Sequence, residues 1–550
     1  NNLFHVQFFT VIKNRSSPNA KQKHQHHLLE ALAFETLYTT FYILRFSDKN
    51  YHLGKNLNDQ KNTNFQNVLE IDQAGVKFTL KESQVSVKQI IEIQGQETVR
   101  MFFSTIKSFG CMKSFPNQFL WGVSTSSYQI EGAIHSGGRG ESIWDRFSSL
   151  PGKIADGRSG EMACDHYHNW EEDLGLIQEM GAGAYRFSTA WPRIQPLGSG
   201  RFNAEGLQFY SRLVDGLLSR GIEPWLCLNH WDLPQALQEK GGWTNRDTVM
   251  RFVEYGWKVL EELGDRVKHV IPHNEPNVLS ILGHGIGIHA PGLQDASSCF
   301  ASAHHLNLSH GLVSRELKIC QSDLQLGPVV SLQPVIEQDR DQNASERLDA
   351  LWNKMFLDPV FFGTYPEILD EELKPWIHEG DSEILQYKPD FFGLNHYTVM
   401  RAQSSGKSAL GVRIMETPAG LPVTDSGWEI RPEAMLEQLL EFRDRYGDVP
   451  IYITENGCSS PDQPDASGEV QDPLRTQYLR DYLAAGLEAM EQGVDLRGWF
   501  FWSLLDNFEW AEGYTKRFGL IYVDYETQQR IPKDSYRFVQ KLIQENTLPD

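Results

Sequence analysis

From Phe115 onward, short apolar runs alternate with longer stretches in which apolar residues recur every three to four positions. The runs read as buried strands and the longer stretches as amphipathic helices, the pattern of repeated strand–helix units around a parallel sheet. Eight strands are predicted: Phe119–Ser124, Ala184–Ser188, Trp225–Asn229, Val267–Pro272, Gly327–Leu332, Phe391–Asn395, Ile451–Thr454 and Gly498–Trp502. Helical patterns such as Trp170–Met180, Gly206–Ser219 and Pro432–Tyr446 separate most of them. Eight such units close into a single α/β barrel, (β/α)8, more naturally than into an open sheet.

Upstream of Met112 the pattern is missing. Residues 1–111 contain no Trp and carry 13 Lys and Arg against 9 Asp and Glu. Only Val76–Ile93 alternates, weakly, as a strand or two would. His24, His26 and His27 have no Cys or carboxylate at ligand spacing, so no metal site is expected there. The expectation is a poorly ordered extension over 1–111, a translated leader with Met112 as the true start, and a barrel over 112–550.

The whole chain has 550 residues and a formal charge of −21, so the acidic excess lies in the barrel. That sign argues against a nucleic-acid surface, which needs a basic stripe, and against acidic membranes. The six cysteines (Cys111, Cys164, Cys227, Cys299, Cys320, Cys458) form no CxxC pair and read as reduced thiols of a cytoplasmic protein. No apolar run approaches the ~18 residues a membrane helix needs, and no secretory signal is evident.

Polar and acidic residues follow directly on the apolar runs. The first leads to Gln129, the second carries Arg186, and the third ends in Asn229-His230-Trp231. The fourth ends in His273-Asn274-Glu275, the sixth in Asn395-His396-Tyr397, the seventh in Glu455-Asn456, and the eighth in Trp502, running on to Asn507, Glu509 and Trp510. In a barrel all strand C-termini open on one face, so these residues converge. Glu275 and Glu455 would then face each other across the mouth. A carboxylate pair about 5–5.5 Å apart suits double-displacement glycoside hydrolysis, one attacking the anomeric carbon and the other serving as acid, then base. The pair needs unlike pKa values, and Arg186 and Tyr397 are the groups expected to keep the nucleophile ionised.

These residues resemble glycoside hydrolase family 1. Asn274-Glu275-Pro276 and Ile453–Gly457 look like its two signatures, and Phe119–Gly132, Tyr185–Ser188, His230–Pro234 and Trp502–Trp510 match in order. The resemblance runs from Phe115 to about Lys541 and leaves out residues 1–111. It implies a TIM-barrel retaining β-glycosidase, a β-glucosidase with galactosidase or fucosidase side activity, acting on a small β-glycoside or oligosaccharide. It implies Glu275 as acid/base and Glu455 as nucleophile, with Arg186, Tyr397 and Asn274 supporting them and Asn274 at the sugar 2-hydroxyl. Gln129 and Glu509 would hold the 3-, 4- and 6-hydroxyls, with His230 and Trp510 near O3, Trp502 under the ring and Trp428 along the aglycone. No metal or cofactor is implied, and a homo-oligomer is open.

The departures are His273, His396 and Asn229, read as packing variation. Glu275 itself argues against a thioglucosidase, and Glu509 would repel a 6-phosphate. A transglycosylase and a catalytically silent sugar-binding relative remain the alternatives. A metal-dependent hydrolase using His166 and His168 lacks a ligand constellation.

Overall fold

The barrel can be followed around its circumference from β1 (Leu120–Ser124). The computed structural model describes residues 67–72, 75–80, 114–336 and 341–549. β1 pairs in parallel with β2 (Ala184–Ser188), β2 with β3 (Glu223–Asn229), and β3 with β4 (His269–His273). In the other direction β1 pairs with β8 (Leu496–Trp502), β8 with β7 (Ile451–Asn456), and β7 with β6 (Phe392–Asn395). The circle closes on β5, which is split into Gln325–Leu326 and Val329–Ser331. The first half pairs with β4 and the second with β6, and Asn274, just past β4, bridges to Val329. Pro328 lies at the break, because proline has no N–H to give to a ladder. The predicted fifth strand, 327–332, is therefore shifted and interrupted, whereas the other seven agree within two residues.

Helices cover the outside, among them His166–Met180, Ala204–Ser219, Asp247–Leu263, Ala296–Cys320, Pro432–Tyr446, Pro473–Glu491 and Asp534–Glu545. Following β5, residues Gln342–Phe362 run helically with a π-helical turn at Ala350–Lys354. A small three-stranded sheet of Val335–Ile336, Met400–Ser404 and Val412–Ile414 is built from the segments that follow β5 and β6 in the chain, and was not anticipated.

Inside the barrel, Ala184, Trp225, Cys227, Ile271, Val329, Phe391 and Phe500 form one buried apolar cluster. Side chains alternate between the faces of a strand, so Arg186 shares the inner face of β2 with Ala184 and sits two residues nearer the mouth. The floor is thus apolar and the next layer begins the polar site.

By contact the chain divides into Asn1–Thr105 and Ile106–Asp550. In the first unit Asn67–Asp72 pairs antiparallel with Gly75–Leu80. The alternation expected from Val76 coincides with that second strand. The rest of Val76–Ile93, and His24, His26 and His27, lie outside the described residues. Among the described residues no helix is long and apolar enough to cross a membrane.

Candidate active site

Two backbone irregularities aim the glutamates. Leu394 lies opposite Ile453, but Asn395 lies opposite Glu455, so Thr454 is an extra residue in β7. Tyr452 packs on the floor cluster, and strict alternation would turn Glu455 outward; the bulge turns it in. Past it, a Cβ on Gly457 would overlap the Trp502 carbonyl oxygen, so only glycine lets β7 and β8 end this close together. Glu275 reaches the mouth differently. It has φ 45° between β4 and the helical turn Pro276–Ser280, and its N–H donates to the Val329 carbonyl at 3.0 Å. Trp231 (φ 76°) and Trp510 (φ 48°) are left-handed as well. Such residues cost about 1–3 kcal/mol each and persist where surrounding structure imposes them.

The side chains then form one continuous network. Arg186, with no exposure, donates from Nη1 to Glu455 Oε1 at 2.5 Å and from Nη2 to Asn274 Oδ1. Tyr397 Oη donates to the other carboxylate oxygen, Glu455 Oε2, at 2.6 Å. Asn395 Nδ2 donates to Glu275 Oε1 at 2.8 Å and to Asn274 Oδ1 at 3.1 Å, while its own Oδ1 accepts from Thr454 Oγ1 at 2.6 Å. With Asn274 Oδ1 taken by two donors, its amide nitrogen faces His230 Nε2 at 3.0 Å. That ring nitrogen must accept, so neutral His230 carries its proton on Nδ1. Burial and the Arg186 charge hold the imidazole well below its usual pKa.

Burial raises the pKa of both glutamates, but their surroundings divide them. At Glu455 the Arg186 guanidinium and the Tyr397 hydroxyl oppose the rise. At Glu275 the charge of Glu455 adds to it, against the Asn395 hydrogen bond, the Arg186 charge and the Ser331 hydrogen bond. Glu455 is therefore the first to ionise and Glu275 the one that keeps its proton, the asymmetry an acid and a nucleophile require. Tyr397, pushed far up by burial and by Glu455, stays a donor.

Along one wall, Gln129 Nε2 donates to Asn507 Oδ1 (3.1 Å) and Glu509 Oε2 (3.3 Å), and Gln129 Oε1 accepts from Ser126 Oγ (2.6 Å). Burial and the Glu455 charge push Glu509 up to about 8. The His230 ring stacks between Trp502 and Trp510, with centroids 5.9 and 5.8 Å away. Trp428 is 36% exposed at the rim and leans on Tyr397 and Phe518 at 5.5 and 5.8 Å.

Gln129, Arg186, His230, Asn274, Glu275, Tyr397, Trp428, Glu455, Trp502, Glu509 and Trp510 thus meet at one mouth. What the sequence reading left without a role is Asn395, the bridge between the two glutamates. Its position at the end of β6 was visible, but its partners lie 120 and 121 residues away. Trp231, named at the end of β3, was likewise left without a role; its indole N–H donates to the Asn274 carbonyl at 2.9 Å. Asn229 Nδ2 meets His273 Nδ1 at 3.0 Å, and His273 Nε2 meets Ser309 Oγ at 2.7 Å, so these two departures form a buried pair of their own. His166 and His168 diverge: His166 is buried on Asp173 (2.7 Å) and His168 is exposed on Asp165 (2.6 Å). Among the described residues no group of three or more His, Cys, Asp or Glu is placed to hold a metal ion.

An α/β barrel with two buried, unequally polarised carboxylates at the C-terminal ends of β4 and β7 has the layout of a glycoside hydrolase. Comparison with known proteins agrees. Residues 111–548 match Glycosyl hydrolase family 1. A 1,4-beta-D-glucan glucohydrolase of Thermotoga neapolitana is 44% identical over 446 residues, covering 80% of this chain and 100% of the relative. A bifunctional beta-D-glucosidase/beta-D-fucosidase of Bifidobacterium breve is 41% identical over 457 residues, covering 79% and 99%. The solved beta-glucosidase of Thermotoga maritima in complex with galacto-hydroximolactam matches with a TM-score of 0.76 at 42% identity, over 80% of this chain and all of that one. The chain belongs to glycosyl hydrolase family 1.

Proposed function

We propose that this chain is a retaining, exo-acting β-glucosidase, with β-galactosides and β-fucosides as secondary substrates, and that residues 112–550 are its catalytic unit. Glu455 attacks the anomeric carbon while Glu275 gives its proton to the departing glycosidic oxygen. The bond to the aglycone breaks and a glycosyl ester forms on Glu455. Glu275, now a carboxylate, takes a proton from water, whose oxygen attacks the same carbon and releases the sugar and Glu455. The observation that carries this reading is the chain Glu455–Arg186–Asn274–Asn395–Glu275, which joins the two carboxyls and polarises them unequally.

Asn274 presents its amide at the sugar 2-hydroxyl. Gln129 and Glu509 take the hydroxyls at the far end of the ring, His230 and Trp510 lie near O3, Trp502 forms the floor, and Trp428 meets the aglycone. The substrate is a small neutral β-glycoside or oligosaccharide. The names of the Thermotoga and Bifidobacterium relatives support glucosides, and fucosides beside them. The free thiols of Cys164, Cys227, Cys299, Cys320 and Cys458 support a reducing, cytoplasmic setting. Self-association into a homo-oligomer is left to sizing in solution.

The test is trapping. Incubation with 2,4-dinitrophenyl 2-deoxy-2-fluoro-β-D-glucoside should release one dinitrophenolate per site and leave a peptide carrying the fluorosugar on Glu455. Label on another carboxylate, or no label from gluco-, galacto- or fuco-configured reagents, would sink the assignment.

A further inference from the structure

Outside the sugar site, the molecule holds a second buried ionic cluster that the mechanism does not use. Lys533 has no exposure, and its Nζ donates to Asp462 Oδ2 at 2.6 Å and to Asp506 Oδ1 at 2.7 Å. Arg475, also fully buried, pairs with the same Asp462 Oδ2 at 2.7 Å and with Asp472. Arg517 Nη1 donates to Asp506 Oδ2 at 2.7 Å, and the Gly519 N–H to Asp506 Oδ1 at 2.9 Å. Three cations thus balance three carboxylates, all of them buried except the partly exposed Arg517, so the geometry of each is fixed by its partners.

The members come from different walls of the mouth. Asp462 follows β7, seven residues past Glu455, and Arg475 holds the Cys458 carbonyl of that same connection at 3.1 Å. Asp506 lies on the connection after β8, three residues before Glu509. From Asp506 the chain runs through Asn507, whose Oδ1 accepts from Gln129, and Phe508, whose N–H donates to the Gln129 carbonyl at 3.1 Å. The segment that presents Glu509 and Trp510 is therefore held by Gln129 at one end and, at Asp506, by Lys533 together with Arg517, the Gly519 N–H and the Cys164 thiol. Lys533 ties it directly to Asp462 on the connection that carries on from Glu455, and Arg517 adds an indirect tie, because its carbonyl accepts from the Ser460 N–H at 3.1 Å and from Arg475 Nη2 at 2.7 Å.

We propose that Lys533 is a positioning residue for sugar recognition: by holding Asp506 against Asp462, it sets the place of Glu509 and Trp510 relative to Glu455. The inference rests on the reading of Glu509 as the holder of hydroxyls at the far end of the sugar, and extends it to a residue that touches no sugar. Replacing the ammonium by an apolar chain removes the one cation that Asp462 and Asp506 share, and leaves each held only on its own side, Asp462 by Arg475 and Asp506 by Arg517 and the Gly519 N–H. They separate, and the segment from Asp506 to Trp510 moves with one of them. A sugar with a C6 hydroxymethyl group loses that contact in addition to those at O3 and O4, whereas a xyloside, which lacks the group, loses only the latter.

The experiment compares 4-nitrophenyl β-D-glucoside and β-D-xyloside on the full chain and on Lys533→Met, with competent sites counted by the dinitrophenolate burst described above. Per active site, the glucoside-to-xyloside ratio of kcat/KM should fall about tenfold, most of it in the KM for the glucoside, with the xyloside value falling by a smaller factor. A purely structural role lowers the number of competent sites and leaves the ratio alone, which overturns the proposal. Asp506→Asn is measured in parallel and carries the same expectation if Lys533→Met does not fold. Glu509→Gln separates the two layers. If it lowers the ratio and the Lys533 and Asp506 variants do not, the positioning role is wrong; if it leaves the ratio unchanged, the reading of Glu509 fails and takes the positioning role with it.

Discussion

At the floor of the barrel, Trp225 packs against Phe391, Tyr452 and Phe500 with ring centroids 5.1, 4.7 and 4.9 Å away, and stacks on His269 at 4.1 Å. At the mouth, strands of the same sheet end in Arg186, Asn274, Glu275, Asn395 and Glu455, all buried and hydrogen-bonded to one another. The floor is held by burial and ring contact, which are weakly directional and contribute stability. The mouth holds desolvated charge, which is costly unless every partner is in place. It also holds three left-handed residues, Trp231, Glu275 and Trp510, among the eight non-glycine ones described. Stability is concentrated at one end and chemistry at the other, so a substitution should strike one property or the other according to its layer.

The sharpest break at the mouth is Glu275→Gln. On 4-nitrophenyl β-D-glucoside kcat/KM should fall by about 10²–10⁴-fold, the usual contribution of a general acid. Its basic limb should vanish too, because the raised Glu275 proton is the one lost as pH rises. With a 2,4-dinitrophenyl aglycone the first step should suffer much less, since that leaving group needs little protonation. Equal losses on both substrates would remove Glu275 from the acid role.

Next comes Arg186→Met, which should lower kcat/KM by about 100-fold, the scale of losing one preorganised charge contact. The direction in pH is fixed. Arg186 opposes the burial that raises Glu455, so without it Glu455 ionises at higher pH and the acidic limb moves toward neutral. A limb that stays put, or moves to lower pH, contradicts the electrostatic account.

The smallest effect on catalysis belongs to the floor. Trp225→Ala should destabilise by about 3–5 kcal/mol and lower the thermal midpoint, yet keep kcat/KM per competent site within about twofold. Lost catalysis without lost stability would erase the division between the layers.

The eight strands were legible because burial on both faces writes continuous apolar runs, and a strand's end is marked by the first polar residues after it. This is why Glu275, Glu455, His230 and Tyr397 could be picked out together. The split of β5 follows from Pro328 but needs both neighbours to locate. The helical run over Gln342–Phe362 was hidden because its second half, Ala350–Phe362, is apolar on nearly all sides and shows no period. Partners far apart in sequence leave no periodic trace: Arg186 and Glu455 are 269 residues apart, and Lys533 and Asp462 are 71. The bulge at Thr454, which aims Glu455, is a matter of register between strands and is equally invisible in one strand alone.

The central claim, that Glu455 forms the covalent bond to sugar, is most directly tested by Glu455→Gly assayed with 4-nitrophenyl β-D-glucoside with and without azide. Without azide, turnover should drop by about 10⁴-fold or more. With azide occupying the space of the lost carboxylate, activity should return and the product should be α-glucosyl azide. Wild-type turnover in Glu455→Gly, or a β-configured azide product, would place the nucleophile elsewhere.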